Sequence, residues 1–384
     1  MPFPLYLLAL AVFAMGTSEF MLAGLVPTLA ADLDVGVGTA GLLTSAFAIG
    51  MVVGAPLLAV LARNWPRRAA LAGFLIVFLL AHTAGALTGS FVILFATRVV
   101  AAVTNAGFLA VALSAAVALV PADRKGRALS ILLAGTTLAT IAGVPGGALL
   151  GTMLGWRTTF WAIALLCLPA LIGVLAVRLP EPGRQLLDLG RELAELRRPT
   201  LIMTLVVGAL VNAATFGAFT FLAPVVTELA GLAPIWVPAT LMIFGLGSFA
   251  GVMIAGRLAD RRPWLVIMVG GPALLAGWVA LAIGAGRPVL LIILVLLLGT
   301  LSFGVGSTLI ARALYAASGA PTLAGASATA ALNVGAALGP AVAGLSLGTS
   351  LGLRGPAWIA AVLVGIALSL CLGFRRTLAA TRPE

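Results

Sequence analysis

The chain has 384 residues, of which 62% are apolar and only 9% charged, against roughly 25% charged in an ordinary soluble domain. This excludes a soluble globular fold, whose polar surface would be far too small to cover its core, and leaves lipid as the solvent. The formal charge of +11 raises nucleic-acid binding, which the placement of the basic residues, described below, excludes.

Apolar segments of about 18 to 25 residues, long enough to cross roughly 30 Å of hydrocarbon, are predicted at 4–26, 39–61, 69–88, 91–117, 128–153, 158–177, 200–227, 235–256, 264–284, 289–311, 323–348 and 356–374. The short alternating strands of a membrane barrel are not seen. The expected fold is therefore an all-α integral membrane protein of twelve helices. The first span lacks a basic leader and runs too long for a signal peptide, so it is read as a retained helix.

That first span carries Glu19 well inside an apolar run, while the other acids fall in loops, at helix ends or in the tail. A charged carboxyl at such depth costs several kcal/mol, so Glu19 should face the bundle interior. It is a proton-carrier candidate; the alternative is a protonated acid hydrogen-bonded in the core. His82, near the outer end of the third span, is read as interfacial. In the fourth span Arg98 needs a carboxylate, helix carbonyls or a wet cavity around it. Glu19 is the nearest acid in depth, so the two are proton-coupling candidates, with a purely structural Arg98 as the alternative. On the fifth span Gly143, Gly147 and Gly151 share one face, and Pro145 allows a bend. Together they suggest a tight, bendable contact between halves, or small-residue packing alone.

Asn105, Asn212 and Asn333 lie in the fourth, seventh and eleventh spans, with Phe216, Phe219 and Phe221 close to the second of them. A few amides in an aromatic lining suit an amphiphilic small molecule, so Glu19, Asn105, Asn212, Phe216 and Asn333 are candidate substrate contacts. Each amide is alternatively an interhelical hydrogen bond. Cys167 and Cys371 are lone thiols inside helices and suggest neither a metal site nor a disulfide. There is no P-loop, no HExxH and no Ser/His/Asp set. The expectation is a transporter rather than an enzyme, driven by a proton gradient, with no cofactor, no metal and no obligate protein partner.

The basic residues alternate by loop, and 18 of the 22 fall on one side of the spans. Arg157, Arg287 and Arg354 are the only ones opposite, with Arg98 inside a span. By the positive-inside rule the rich side is cytoplasmic, which places both termini there in a cytoplasmic (inner) membrane.

The charge-rich stretch near the middle divides the chain into a six-helix bundle over 1–178, a cytoplasmic linker over 179–199 and a second bundle with a short tail over 200–384. In the linker Leu186, Leu189, Leu193 and Leu196 recur at helical spacing, as in an amphipathic interfacial helix. Features return six helices later. The stretch from Leu61 to Arg68 follows the second span and that from Gly256 to Pro263 the eighth. Gly143 to Gly147 lies in the fifth and Gly335 to Pro340 in the eleventh. Two similar bundles are a frequent architecture for alternating access, with the substrate site between them.

These residues resemble the major facilitator superfamily over essentially the whole chain. Gly256 to Asp260 with Arg261 is similar to the family's loop motif, which implies a gating role for Asp260 and Arg261. The copy after the second span departs from it, with Arg63 in place of the acid and Ala59 and Pro66 in place of glycines. Gly135 with Gly143, Val144, Pro145, Gly146 and Gly147 resembles the antiporter signature, which implies export. Arg98 resembles the arginine of the fourth-helix motif. Met15 to Leu25, Gly126 to Ser130, Gly155 to Trp161 and Leu314 to Gly319 are similar to actinobacterial chloramphenicol-resistance exporters. That resemblance implies proton-coupled efflux of chloramphenicol, a neutral amphiphile; the alternative is export of a sugar or a wider drug set.

Overall fold

A computed structural model describes residues 1–121, 124–177, 179–180, 189–259, 263–317 and 323–373. Among these residues there are helices and turns and no strand. Twelve helices are long and apolar enough to span a bilayer. They are α1 Phe3–Gly24, α2 Val37–Asn64, α3 Arg67–Leu87, α4 Phe91–Ala118, α5 Arg127–Leu154, α6 Trp156–Ala176, α7 Pro199–Thr220, α8 Trp236–Arg257, α9 Leu265–Gly284, α10 Pro288–Ala316, α11 Leu323–Ser346 and α12 Gly352–Gly373. The ends of α1 and α7 differ from the expected spans. Helix α1 tightens into a 3-10 turn over Met21–Gly24, and a separate short helix, Val26–Asp32, follows it. Pro27 sits in the first turn of that short helix, where its missing N–H is not needed. Helix α10 runs 29 residues, past the expected end at 311, and so takes in Arg312, which is buried.

Most of the apolar core falls into two parts. One is built from Leu5 to Val174, wholly from α1–α6 and their connections. The other is built mainly from Val207 to Cys371, joined only by Ala23, Val144 and Ala148 from the first six helices. The two bundles repeat a close approach. A Cβ on Gly50 of α2 would meet the Val99 carbonyl oxygen of α4 at 2.4 Å, and one on Gly251 of α8 would meet the Thr300 carbonyl oxygen of α10 at 2.1 Å. Backbones this near admit only glycine, so the same helix pair in each half is locked the same way.

The bundles meet most tightly at the end of the molecule opposite the start of α1 and the end of α12, called here the far end. Ser45 of α2 donates to the Ala337 carbonyl oxygen of α11 at 2.6 Å. Gly38 sits on Gly344, and Gly41 on the Phe221 ring. Val26, Ala30, Ala40, Phe221 and Ala343 form a small buried cluster there. Helices α5 and α8 meet as well, with Gly245 against the Thr140 carbonyl. At the other end α2 and α4 are separated from α11 by a cavity of about 460 Å³, lined by Leu58, Arg63, Arg67 and Ser114 on one side and by Gly325, Ala326 and Thr329 on the other.

Part of the linker is described as a helix, Leu189–Leu196. Its Glu192 is buried, and Oε2 accepts from the Leu323 backbone N–H at the start of α11, at 2.9 Å. The first N–H groups of a helix have no partner within it, so Glu192 caps α11 from 131 residues away. Glu192→Ala is expected to lower stability by about 1 kcal/mol, in the range of a lost N-cap, read as a lower melting temperature in detergent; an unchanged melting temperature would show the cap to be idle.

Candidate functional site

Glu19 lies near the end of the α-helical part of α1, one residue before the chain passes into the 3-10 turn. It keeps partial exposure deep within the protein because it lines a cavity of about 330 Å³ between the bundles. This size is at the lower end of ordinary ligand pockets. From the first bundle Glu19, Phe20, Thr44, Phe47 and Thr136 line it; from the second come Asn212, Thr215, Phe216, Ser302, Phe303, Ser307 and Asn333. Four residues singled out in the sequence, Glu19, Asn212, Phe216 and Asn333, thus share one wall space. Asn105 does not line the cavity. It is buried behind it, with its amide nitrogen 3.7 Å from the Met51 sulfur and its side chain facing the Glu19 carboxyl.

The cavity is aromatic on both sides. Phe20 of α1 stacks on Phe216 of α7 with centroids 5.5 Å apart. The contact continues through Phe219 and Phe244 to Phe303. Phe20, Phe47 and Phe303 were not among the candidates, since aromatic residues scattered along apolar spans carry no periodic signal. The polar groups are sparse. Asn212 donates to the Leu332 carbonyl oxygen at 2.7 Å and so ties α7 to α11, and Asn333 donates within its own helix to Thr329. The buried hydroxyl oxygens of Thr44 and Ser302, one from each bundle, have no protein partner. An amphiphile with hydroxyl and amide groups on an aromatic ring matches such a lining.

Arg98 is 1% exposed and makes no ion pair with Glu19 among the described residues. Its Nη1 donates to the Ser18 hydroxyl and its Nη2 to the Ser18 carbonyl oxygen, both at 2.7 Å. The change of helix type just beyond Glu19 leaves carbonyls there short of helical donors, which makes Ser18 available as an acceptor. The guanidinium also lies over the Phe47 ring, 4.6 Å from its centroid. Arg98 therefore grips the residue next to Glu19, while its charge acts on the carboxyl through space. His82, expected at the interface, is instead buried and bonded to Ser18 at 2.7 Å. Depth along the span placed it near the lipid headgroups, but a polar partner on α1 keeps it inside.

The glycines of α5 fit a different neighbour from the one expected. Gly135 packs on the Ala9 carbonyl and Gly143 on Thr17, both of α1; Gly151 packs on Leu25, and Gly147 on Thr159 of α6. These contacts lie within the first bundle rather than between bundles. Gly146 faces open space, and Pro145 is buried directly after a π-helical turn, Ala139–Gly143. That turn widens α5 and carries Thr140 toward α8. Asp260 and Arg261 lie outside the described residues. Cys167 and Cys371 are buried and unpaired, and no cluster of metal-ligating side chains occurs among the described residues.

The motif around Trp156 has a structural use at the far end. Gly155 takes φ +86° between α5 and α6, a value suited to glycine. Trp156 Nε1 and Arg157 then both donate to Asp32, at 3.1 and 2.5 Å. The hydrogen bond from Arg157 holds the Asp32 carboxyl below the usual carboxylate range.

Two six-helix bundles enclosing a cavity that holds one acid and few other polar groups define a multi-pass membrane transporter. The chain belongs to the Major Facilitator Superfamily, whose model matches residues 8–333. It is 61% identical to the "Chloramphenicol resistance protein" of Streptomyces lividans, over 100% of this chain and 99% of that one. It is 32% identical to the "Inner membrane transport protein YdhP" of Escherichia coli K12, over 96% and 95%. Among solved structures it is similar to a bacterial homologue of the human lysosomal transporter Spinster (TM-score 0.76, 19% identity, 100% and 99% covered) and to a D-xylose–proton symporter (TM-score 0.73, 16% identity, 95% and 96% covered). At these identities the solved structures speak for the fold alone.

Proposed function

We propose that this protein exports chloramphenicol from the cytoplasm in exchange for protons, by alternating access, with both termini on the cytoplasmic side of the cell membrane. The observation that carries the substrate is full-length 61% identity to a chloramphenicol resistance protein. The lining of the central cavity agrees with it, and the basic residues support the orientation. With the termini inside, the parted end opens to the cytoplasm and the sealed far end faces outward, the state that receives drug. Glu19 gives up a proton inward as drug binds and takes one from outside as drug leaves.

A neutral drug exchanged for one proton moves net charge. At about 2.3 kcal/mol per charge per 100 mV, a driving force of about 150 mV supplies about 3.5 kcal/mol, enough for a gradient of a few hundredfold. Expression in a sensitive bacterial host is the test. The host is expected to tolerate at least about tenfold more chloramphenicol and to hold less of it, and a protonophore is expected to restore accumulation. Resistance to other drugs but not to chloramphenicol would overturn the substrate; low accumulation that survives the protonophore would overturn the coupling.

A further inference from the structure

The transport reading leaves the chain's single histidine without a role, although it is built into the protein with care. His82 is 1% exposed. It is clamped between the rings of Phe78 and Phe160, whose centroids are 4.2 and 5.7 Å away. Its Nδ1 lies 2.9 Å from the Phe78 carbonyl oxygen. A carbonyl only accepts, so Nδ1 carries the hydrogen and donates, and Nε2 of the neutral ring is an acceptor. Nε2 faces the Ser18 hydroxyl at 2.7 Å, so that hydroxyl donates to His82. Its oxygen then accepts from Arg98 Nη1 at 2.7 Å. The chain of donors has one direction, from Arg98 to Ser18 to His82 to the Phe78 carbonyl. Among the described residues the charged groups facing this chain are Arg98 from α4 and, beyond it, Glu19 from α1. Helix α6 presents the Phe160 ring, its one charge, Arg157, being paired with Asp32, and α3 carries its charges, Arg67 and Arg68, at the opposite end.

We infer that His82 is a positioning residue for proton coupling: by receiving the Ser18 hydrogen it turns the Ser18 hydroxyl oxygen toward Arg98, and so holds the guanidinium on Ser18 and off the Glu19 carboxyl. This rests on the reading of Glu19 as the proton carrier. Without an acceptor at Nε2 the Ser18 hydroxyl turns back to a carbonyl of its own helix, as serines in helices do. Arg98 then loses one of its two acceptors, and Glu19 is the acid within reach of its charge. A guanidinium swung onto the carboxylate competes with the proton for it.

The test is chloramphenicol binding to the purified full-length protein as a function of pH. In wild type, binding weakens as the pH falls. His82→Phe, which fills the space without an acceptor, is expected to move the midpoint of that curve about one pH unit toward acid, with affinity at the alkaline plateau unchanged. Ser18→Ala is expected to give the same shift, and the double variant no more than either alone, since both remove one hydrogen bond. His82→Gln, whose amide oxygen stands near the place of Nε2, is expected to restore the wild-type midpoint. A wild-type midpoint in Ser18→Ala, or shifts that add in the double variant, would overturn the inference even if His82→Phe does not fold. Glu19→Gln separates the two readings. If its binding still varies with pH, the proton-carrier reading falls; if it is flat while Ser18→Ala keeps the wild-type midpoint, only the role of His82 falls.

Discussion

Glu19→Gln is expected to abolish pH-gradient-driven uptake of chloramphenicol into inverted vesicles, by at least about a hundredfold, while leaving a protein that folds and binds the drug with the weaker affinity that the wild type shows at acid pH. Glutamine has nearly the shape of the protonated acid and keeps a partner for Asn105, so the cavity wall between Phe20 and Thr44 should survive. What disappears is the ability to carry charge. Among the described residues the charged side chain that acts on Glu19 is Arg98, which is committed to Ser18 and does not discharge readily. Facilitated, downhill movement of drug should persist, because the cavity and the helices that enclose it remain. The measurement is initial uptake with and without an imposed gradient. Gradient-driven accumulation at the wild-type rate would remove Glu19 from the mechanism and with it the proposed coupling.

Arg98→Lys is expected to lower the transport rate at least tenfold and to reduce stability by about 1–3 kcal/mol, the cost of leaving a buried acceptor unpaired. Charge is conserved, but geometry is not. The two donors reach the Ser18 hydroxyl and carbonyl at once, which a planar fork does and a single ammonium does not. The flat face that lies over Phe47 is also lost. A lysine here serves as a mobile point charge with Glu19 in range. Transport in vesicles and melting in detergent would be measured together. A variant with wild-type rate and melting temperature would show that Arg98 acts through charge alone.

Much of this architecture was legible because lipid imposes it. The spans follow from hydropathy, and Glu19 stood out because the apolar spans offered no rival. What the sequence hid depends on which surfaces meet. The repeat of Gly143, Gly147 and Gly151 identified a face but not its neighbour, so α1 and α6 were mistaken for the opposite bundle. The π-helical turn before Pro145 leaves no mark in composition, because it arises from how α5 packs rather than from any residue preference. His82 and Ser18 are 64 positions apart, and no spacing rule links them. Phe20, Phe47 and Phe303 look like any aromatic residue in an apolar helix until the two bundles are placed face to face.

The seam at the far end sets a threshold for turnover. Part of it is glycine and backbone, with Gly38 against Gly344 and one hydroxyl on the Ala337 carbonyl, and part is the apolar cluster of Val26, Ala30, Ala40, Phe221 and Ala343. The largest side chain of that cluster is Phe221, fully buried with its ring on Gly41. Exposing a phenylalanine of this kind costs about 1.5–3 kcal/mol. On the proposed proton-coupled reading such a latch is firm at rest yet small enough for the transport cycle to release.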